Sequence, residues 1–350
     1  VRVLTDMPSG KPPSDDSSQI GPLLVHCDRP RLDESRRLAI IADPHLAKSG
    51  KGTWKLLHRS HARLQTALAI ARGEPTDISP AAAVIFAGDQ SSYGRYEEID
   101  AVDRLLAALN RSWTAIPGNH DVPKAFDDHE GVDLSTLRRG FLGSADRAAD
   151  TANEACGWYP FVLRVGDLRV VCLNTAAPPG VDYQDTWGGA VGSEQLHRLE
   201  IILETNPDMA TIVVAHHHLG ALPEHEPDPP WSLFPADDAA ALQTILQTAD
   251  IPLVVTGHHH VPAVRTYGEL TEVMAPAVCS FPQAMLNLQI GPEGTTVRLV
   301  PLAGVVGVRE SYWAAMNGKP LGREIASLVA ARLPVGTYTA GDDSDYATNK

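Results

Sequence analysis

Short apolar runs alternate with amphipathic stretches along most of this chain. Residues 38–42, 83–87, 112–116, 211–215 and 253–256 are brief and almost wholly apolar, the pattern of strands buried on both faces. Between them lie helical patterns over 54–72, 95–109, 193–203 and 236–248. Leu57, Leu64 and Leu68 share one face of the first, and Leu196, Leu199 and Leu203 share one face of the third. Residues 161–165 and 168–173 read as a hairpin turning at Gly166 and Asp167. Later pieces at 272–274, 286–290 and 296–300 complete the sheet region, and 21–27 could add an edge strand. Strands alternating with helices predict an α/β domain. The expected division is a flexible extension over 1–36, a catalytic domain over 37–302, and a helical segment with a polar tail over 303–350. No internal repeat is visible.

In α/β domains the chemistry gathers at the carboxyl ends of the strands. Here a polar cluster follows each of the five apolar runs. Asp43-Pro44-His45 follows the first, Gly88-Asp89 the second, and Gly118-Asn119-His120-Asp121 the third. His216-His217-His218 follows the fourth, and Gly257-His258-His259-His260 the fifth. Asp, Asn and His are ligands for divalent metals. If these segments stay extended, alternate residues point the same way, so Asp43 with His45, and His258 with His260, would each aim at one site. Taken singly each cluster has a bland reading: a turn glycine with a capping aspartate, or a run of surface histidines. A bland reading of all five, each after an apolar run, is hard to sustain.

The order D-x-H, GD, GNHD, strand-His and GHxH resembles the calcineurin-like metallophosphoesterases, over residues 38–300. The nearest likeness is to the cyclic-nucleotide phosphodiesterase branch. The resemblance implies two packed mixed β-sheets flanked by helices. It also implies a centre of two divalent ions, Mn, Fe or Zn. Asp43, His45 and His260 would bind one ion; Asn119, His216 and His258 would bind the other; Asp89 would bridge them. His120 would contact the phosphate or protonate the leaving oxygen, and Asp121 would orient it.

The chemistry of phosphate esters fits such a set. Their anionic oxygens repel a nucleophile, and two cations about 4 Å apart neutralise that charge and make hydroxide available near neutral pH. A carboxylate behind His120 would raise its pKa and fix its tautomer. Three positions depart from the family pattern: Leu219 stands where proline is common after the histidines, Gln90 follows Gly-Asp, and Pro44 fills the middle of D-x-H. None removes a ligand.

Charge narrows the substrate. Among 350 residues, 43 are acidic and 29 basic, a formal net charge of -14. Such a surface repels nucleic acid at long range, which favours a small phosphorylated substrate; bound cations reverse the sign locally. Arg138-Arg139 is the one notable basic pair near the motifs. The four cysteines, Cys27, Cys156, Cys172 and Cys279, form no C-x-x-C pair and read as buried thiols outside the cluster, which favours N/O metal ligands. With no signal-peptide pattern and no bilayer-length apolar run, a cytoplasmic protein is expected, without membrane contact.

His58, His61 and His197 read as solvated, and His129 as a charged-loop residue. His217 and His259 are middle residues of their runs. The Pro-rich acidic stretch 223–234 reads as a loop near the site. Residues 310–333 read as one or two helices whose face at Ile325, Leu328 and Leu333 packs on the core, with a homo-oligomer left open. Two other functions share or borrow this frame. One is a phosphomonoesterase or nucleotide pyrophosphatase on the same metals. The other is a non-catalytic binding module, which would be expected to lack ligands that this chain retains.

Overall fold

A computed structural model describes residues 2–3, 23–48, 54–74, 78–126, 129–132, 159–178, 183–222 and 231–332. Among the described residues there are thirteen strands: β1 Arg2–Val3, β2 Leu23–Cys27, β3 Arg36–Ile41, β4 Ala83–Ala87, β5 Ser112–Ile116, β6 Phe161–Val165, β7 Leu168–Cys172, β8 Thr211–Val214, β9 Leu253–Thr256, β10 Ala263–Tyr267, β11 Leu270–Met274, β12 Ala284–Gly291 and β13 Gly294–Pro301. The longer helices are α1 Leu57–Ala71, α2 Tyr96–Ala107, α3 Ser193–Glu204, α4 Ala239–Thr248, α5 Val305–Met316 and α6 Pro320–Arg332.

The apolar runs are unbroken because both faces of each central strand are covered. Leu38 and Ile40 of β3 face the layer between two sheets, while Ala39 and Ile41 face α1 and α2. A seven-stranded sheet runs β1-β2-β13-β12-β3-β4-β5, with β3, β4 and β5 parallel and the others antiparallel. A six-stranded sheet runs β10-β11-β9-β8-β7-β6, parallel through β11, β9, β8 and β7, with an antiparallel strand at each edge. The two sheets pack face to face through Ile40 and Ile85 on one side and Val170, Val214 and Val255 on the other. Helices α3 and α4 cover the outer face of the second sheet through Leu199 and Leu246. This is the expected pair of mixed sheets flanked by helices.

Strand β2 lies inside the first sheet, between β1 and β13, rather than at its edge. Leu32 N also bonds the Gly291 carbonyl at 3.2 Å, so the chain joins the sheet before residue 36. The rest of the expected flexible extension, 4–22, and the tail beyond 332 lie outside the described residues, as does Leu333. Strand β10 had no expectation. Its residues, Ala-Val-Arg-Thr-Tyr, are mostly half-exposed, so no apolar run marks it. Ile325 is buried in a cluster with Met274 and Phe281, and Leu328 packs against that cluster. Cys27, Cys172 and Cys279 are buried free thiols, whereas Cys156 lies outside the described residues.

Leu199 is wholly buried between α3 and the second sheet. Leu199→Ala should cost about 2–5 kcal/mol of stability. A urea titration checks this: the midpoint should fall with an unchanged slope.

Candidate metal centre

The carboxyl ends of β3, β4 and β5 in one sheet meet those of β8 and β9 in the other. Asp43, His45, Asp89, Asn119, His216, His258 and His260 are thereby brought together, each at most 8% exposed. Their aim is not set by extended alternation. Asp43, His45, Asp89, His258 and His260 all have positive φ, from 44° to 70°. The left-handed region is costly for residues with a Cβ and persists only where surroundings over-determine it. The expectation of extended segments is thus corrected: β3, β4 and β9 each end in a kink that turns ligand-type side chains inward. The kinks are tied together by backbone bonds, Asp43 N to Gly88 O (3.1 Å), His45 N to Asp89 O (2.9 Å) and Gly257 N to His216 O (3.0 Å).

Two glycines make room for the cluster. A Cβ on Gly88, where φ is +99°, would stand 2.0 Å from His216 Nδ1. One on Gly118 would stand 2.1 Å from Asp89 Oδ1. Glycine in both motifs is therefore a packing requirement as well as a turn residue.

Two groups of donors result, and Asp89 belongs to both. On one side His45 Nε2 and His260 Nε2 face each other at 3.2 Å. Asp43 Oδ1 is 3.4 Å from His260 Nε2, and Asp89 Oδ2 is 3.3 Å from His45 Nε2. On the other side His216 Nε2 lies 3.0 Å from Asn119 Oδ1 and 3.4 Å from Asp89 Oδ1. His258 closes that group, its ligand atom within 4.8 Å of those of Asp89 and His216. The far ring nitrogens are anchored: His216 Nδ1 on the Ala87 carbonyl (2.8 Å), His260 Nδ1 on Ser280 Oγ (2.8 Å) and His258 Nε2 on the Leu233 carbonyl (3.1 Å). Such anchors fix the tautomer of a ligating imidazole.

Electrostatics bind the two groups. Burial works against ionised Asp89, but His216, His120 and His45 outweigh it and hold the carboxyl well below its usual range. Burial likewise depresses His216, but Asp89 and Asp43 overcome it and raise the imidazole to about 9. Burial holds His45, His258 and His260 below the ordinary histidine value. Converging carboxylates and imidazole nitrogens fit divalent cations by their donor chemistry.

Three findings change the sequence reading. Cys279 does join the cluster: its sulfur lies within 4.8 Å of the His45 and His260 ligand atoms. The loop after β11 brings it there, with Val278 N on the Ala42 carbonyl (3.1 Å) and Cys279 N on the Asp43 carbonyl (3.4 Å). A solitary cysteine with no partner motif gave no sign of this. Burial pushes its thiol up. Asp121 does not touch the His120 ring. Its carboxylate accepts from Gln90 N (3.2 Å), Ser91 N (2.8 Å), Ser91 Oγ (2.8 Å) and Gly118 N (2.9 Å), bracing the loop instead. His120 Nδ1 donates to the Ser92 carbonyl at 2.7 Å, and burial, then Lys55, hold that imidazole well down rather than up. Lys55 itself went unnoticed. Its Nζ reaches 3.2 Å from His45 Nε2 and 3.3 Å from His120 Nε2, and no motif in the sequence marks it.

The remaining described histidines are structural or partly to fully exposed. His217 bonds Thr175 Oγ1 (2.8 Å) and the Trp187 carbonyl (3.1 Å). His218 bonds the Gly257 carbonyl (2.7 Å), which leaves His216 as the member of its run that faces Asp89. His259 stacks on Phe234 with centroids 4.3 Å apart. His129 is buried, its Nε2 on the Val122 carbonyl (2.9 Å), not a charged-loop residue. His58, His61 and His197 are exposed. Asp127, Asp128, Arg138, Arg139 and the stretch 223–230 lie outside the described residues. Among the described residues no helix is long and apolar enough to cross a membrane.

Mixed sheets meeting at a buried Asp–His–Asn cluster define a metallophosphoesterase fold, the class of metal-dependent phosphoric ester hydrolases. The chain belongs to the calcineurin-like phosphoesterase family, whose model matches residues 36–262. A probable cyclic nucleotide phosphodiesterase of Xenorhabdus bovienii (strain SS-2004) is 24% identical over 195 residues, 56% of this chain and 67% of that protein. The purple acid phosphatase PPD1 of yellow lupin is similar at a TM-score of 0.47 and 16% identity, over 78% of this chain but 52% of that one. The phosphopantetheinyl hydrolase of Mycobacterium tuberculosis is similar at a TM-score of 0.41 and 15% identity, over 70% of this chain and 91% of that one.

Asp89→Ala and Asn119→Ala should each lower bound metal, measured by elemental analysis after loading and desalting. Because His216 is raised to about 9, cation uptake below that pH must displace a proton, so affinity should weaken as pH falls, read by calorimetry across a pH series.

Proposed function

We propose that this protein hydrolyses a small phosphodiester at a centre of two divalent cations. The observation that carries the reading is the split of Asp89: Oδ2 lies toward His45 and Oδ1 toward His216. Asp43, His45 and His260 would hold one cation, Asn119, His216 and His258 the other, with Asp89 shared. Bound cations of this kind neutralise phosphate charge and acidify water. Mn, Fe or Zn suits the donor set, with the Cys279 thiol within reach of the first position.

The chain's own groups do the rest. Asp121 braces the loop that carries His120, and the His120 amide donates to Asp89 Oδ1 at 2.8 Å. With Nδ1 committed to the Ser92 carbonyl, His120 turns Nε2 toward Lys55 Nζ, 3.3 Å away. These two residues line the same cavity as Asp89 and Asn119, about 300 Å³ in volume. A proton held between them is the one an alkoxide leaving group needs. The cavity size suits a small ester, and the acidic balance of the chain argues against a polymer of nucleotides. Preference for a diester is supported by the likeness to the Xenorhabdus protein. A phosphomonoesterase or a nucleotide pyrophosphatase would use the same centre. The expectation of a cytoplasmic protein, with a homo-oligomer left open, is carried into this reading.

The test is hydrolysis of bis(p-nitrophenyl) phosphate against p-nitrophenyl phosphate with Mn²⁺, in wild type and Asn119→Ala. Diester turnover that the variant loses is expected. Monoester preference would redirect the reading to phosphatases, and metal binding without turnover of either would favour a binding module. His120→Ala should keep its metal and slow an alkyl ester, with its poor leaving group, more than a nitrophenyl ester.

A further inference from the structure

The family match ends at residue 262, yet the cavity over the metal cluster is walled in part by Lys319, Leu321 and Ile325 of the C-terminal hairpin. The hairpin of α5 and α6 is seated on the domain. Tyr312 meets Phe281 edge-on at 5.3 Å, and Arg59 pairs with Glu310 at 3.2 Å. It also fits closely against Trp54. A Cβ on Gly318 would stand 2.9 Å from Trp54 Cβ, and one on Gly322 would stand 2.9 Å from both Trp54 Cβ and Cγ. Two glycines four residues apart thus form a notch that receives the root of the Trp54 side chain. So held, the Trp54 ring leans over His260, centroids 5.3 Å apart at 46°. On the His120 side a second indole, Trp187, stacks on the imidazole at 4.4 Å and 13°. The cavity is therefore polar at its metal-ligand floor and aromatic or aliphatic on its walls.

We propose that the C-terminal hairpin builds a subsite for a planar apolar ester group, bounded by Trp54, clamped in the Gly318–Gly322 notch, and by Leu321. The substrate class is a small phosphodiester in which the group remaining on phosphorus carries an aromatic or heteroaromatic ring. This rests on the phosphodiesterase reading above and deepens it. A flat ring stacks on indole and gains area burial against Leu321 that a methyl ester cannot. Lys319, at the exposed rim, adds a cation where an anionic substrate enters a chain of net charge -14.

The test compares bis(p-nitrophenyl) phosphate with methyl p-nitrophenyl phosphate, which share a leaving group and differ in the group that stays. Trp54→Ala and Leu321→Ala should lower the ratio of their kcat/KM values by about tenfold, the range expected for one apolar contact. Metal content should not change, and Trp54→Phe should restore most of the ratio. Equal effects on both substrates, or none, would overturn the subsite. Calorimetric binding of diphenyl phosphate against dimethyl phosphate reads the same preference without turnover: wild type should favour the aryl ester and Trp54→Ala should not. A wild type inactive on both nitrophenyl esters would sink the phosphodiesterase reading alone, because the binding measurement still decides the subsite.

Discussion

One buried carboxylate organises this molecule. Asp89 is 1% exposed, and a lone ionised carboxylate at such depth would be untenable. It is tolerated because histidines from other strand ends surround it and the His120 amide donates to it. The same arrangement requires β3, β4, β5, β8 and β9 to end at one level. Sheet register and site chemistry are therefore one constraint seen from two directions.

That constraint explains where backbone strain is kept. Positive φ at five of the seven ligand-type residues would be unfavourable in a free peptide. Here the loops of each sheet bond one another, His258 N to Asp43 and His216 Nδ1 to the Ala87 carbonyl span the gap between the sheets, and Asp121 ties Gln90, Ser91 and Gly118 to one carboxylate. The packed sheets hold the kinks, and the kinks aim the side chains. Rigidity of this kind suits a centre whose donors must stand ready at fixed separations.

Most of this was legible in the chain because the signals were local. Unbroken apolar runs marked β3, β4, β8 and β9, and each was followed directly by its ligand-type residues. What escaped was non-local or weakly patterned. Strand β10 is half-exposed and has no apolar rhythm. Lys55 and Cys279 enter through loops that carry no motif, and only the fold brings them within reach of His45. The resemblance assigned Asp121 to orient His120, yet its four donors come from Gly118 and the loop after β4, and a backbone carbonyl holds the ring. His129 is charged-looking in its local run, and its burial follows from packing of a loop against Val122 and Trp187.

The glycine notch on α6 has a bearing on how such a protein can change over time. Trp54 and the two glycines are more than 260 positions apart in the chain, yet each shape is the template for the other. Neither side can drift alone: a bulkier residue at 318 or 322 would evict the indole from its place over His260, and a smaller one at 54 would leave the groove unfilled. A C-terminal appendage interlocked in this way is inherited with its counterpart or not at all. Exchanging the hairpin among relatives would thus transplant a matched pair, with the metal-ligand residues left untouched beneath it.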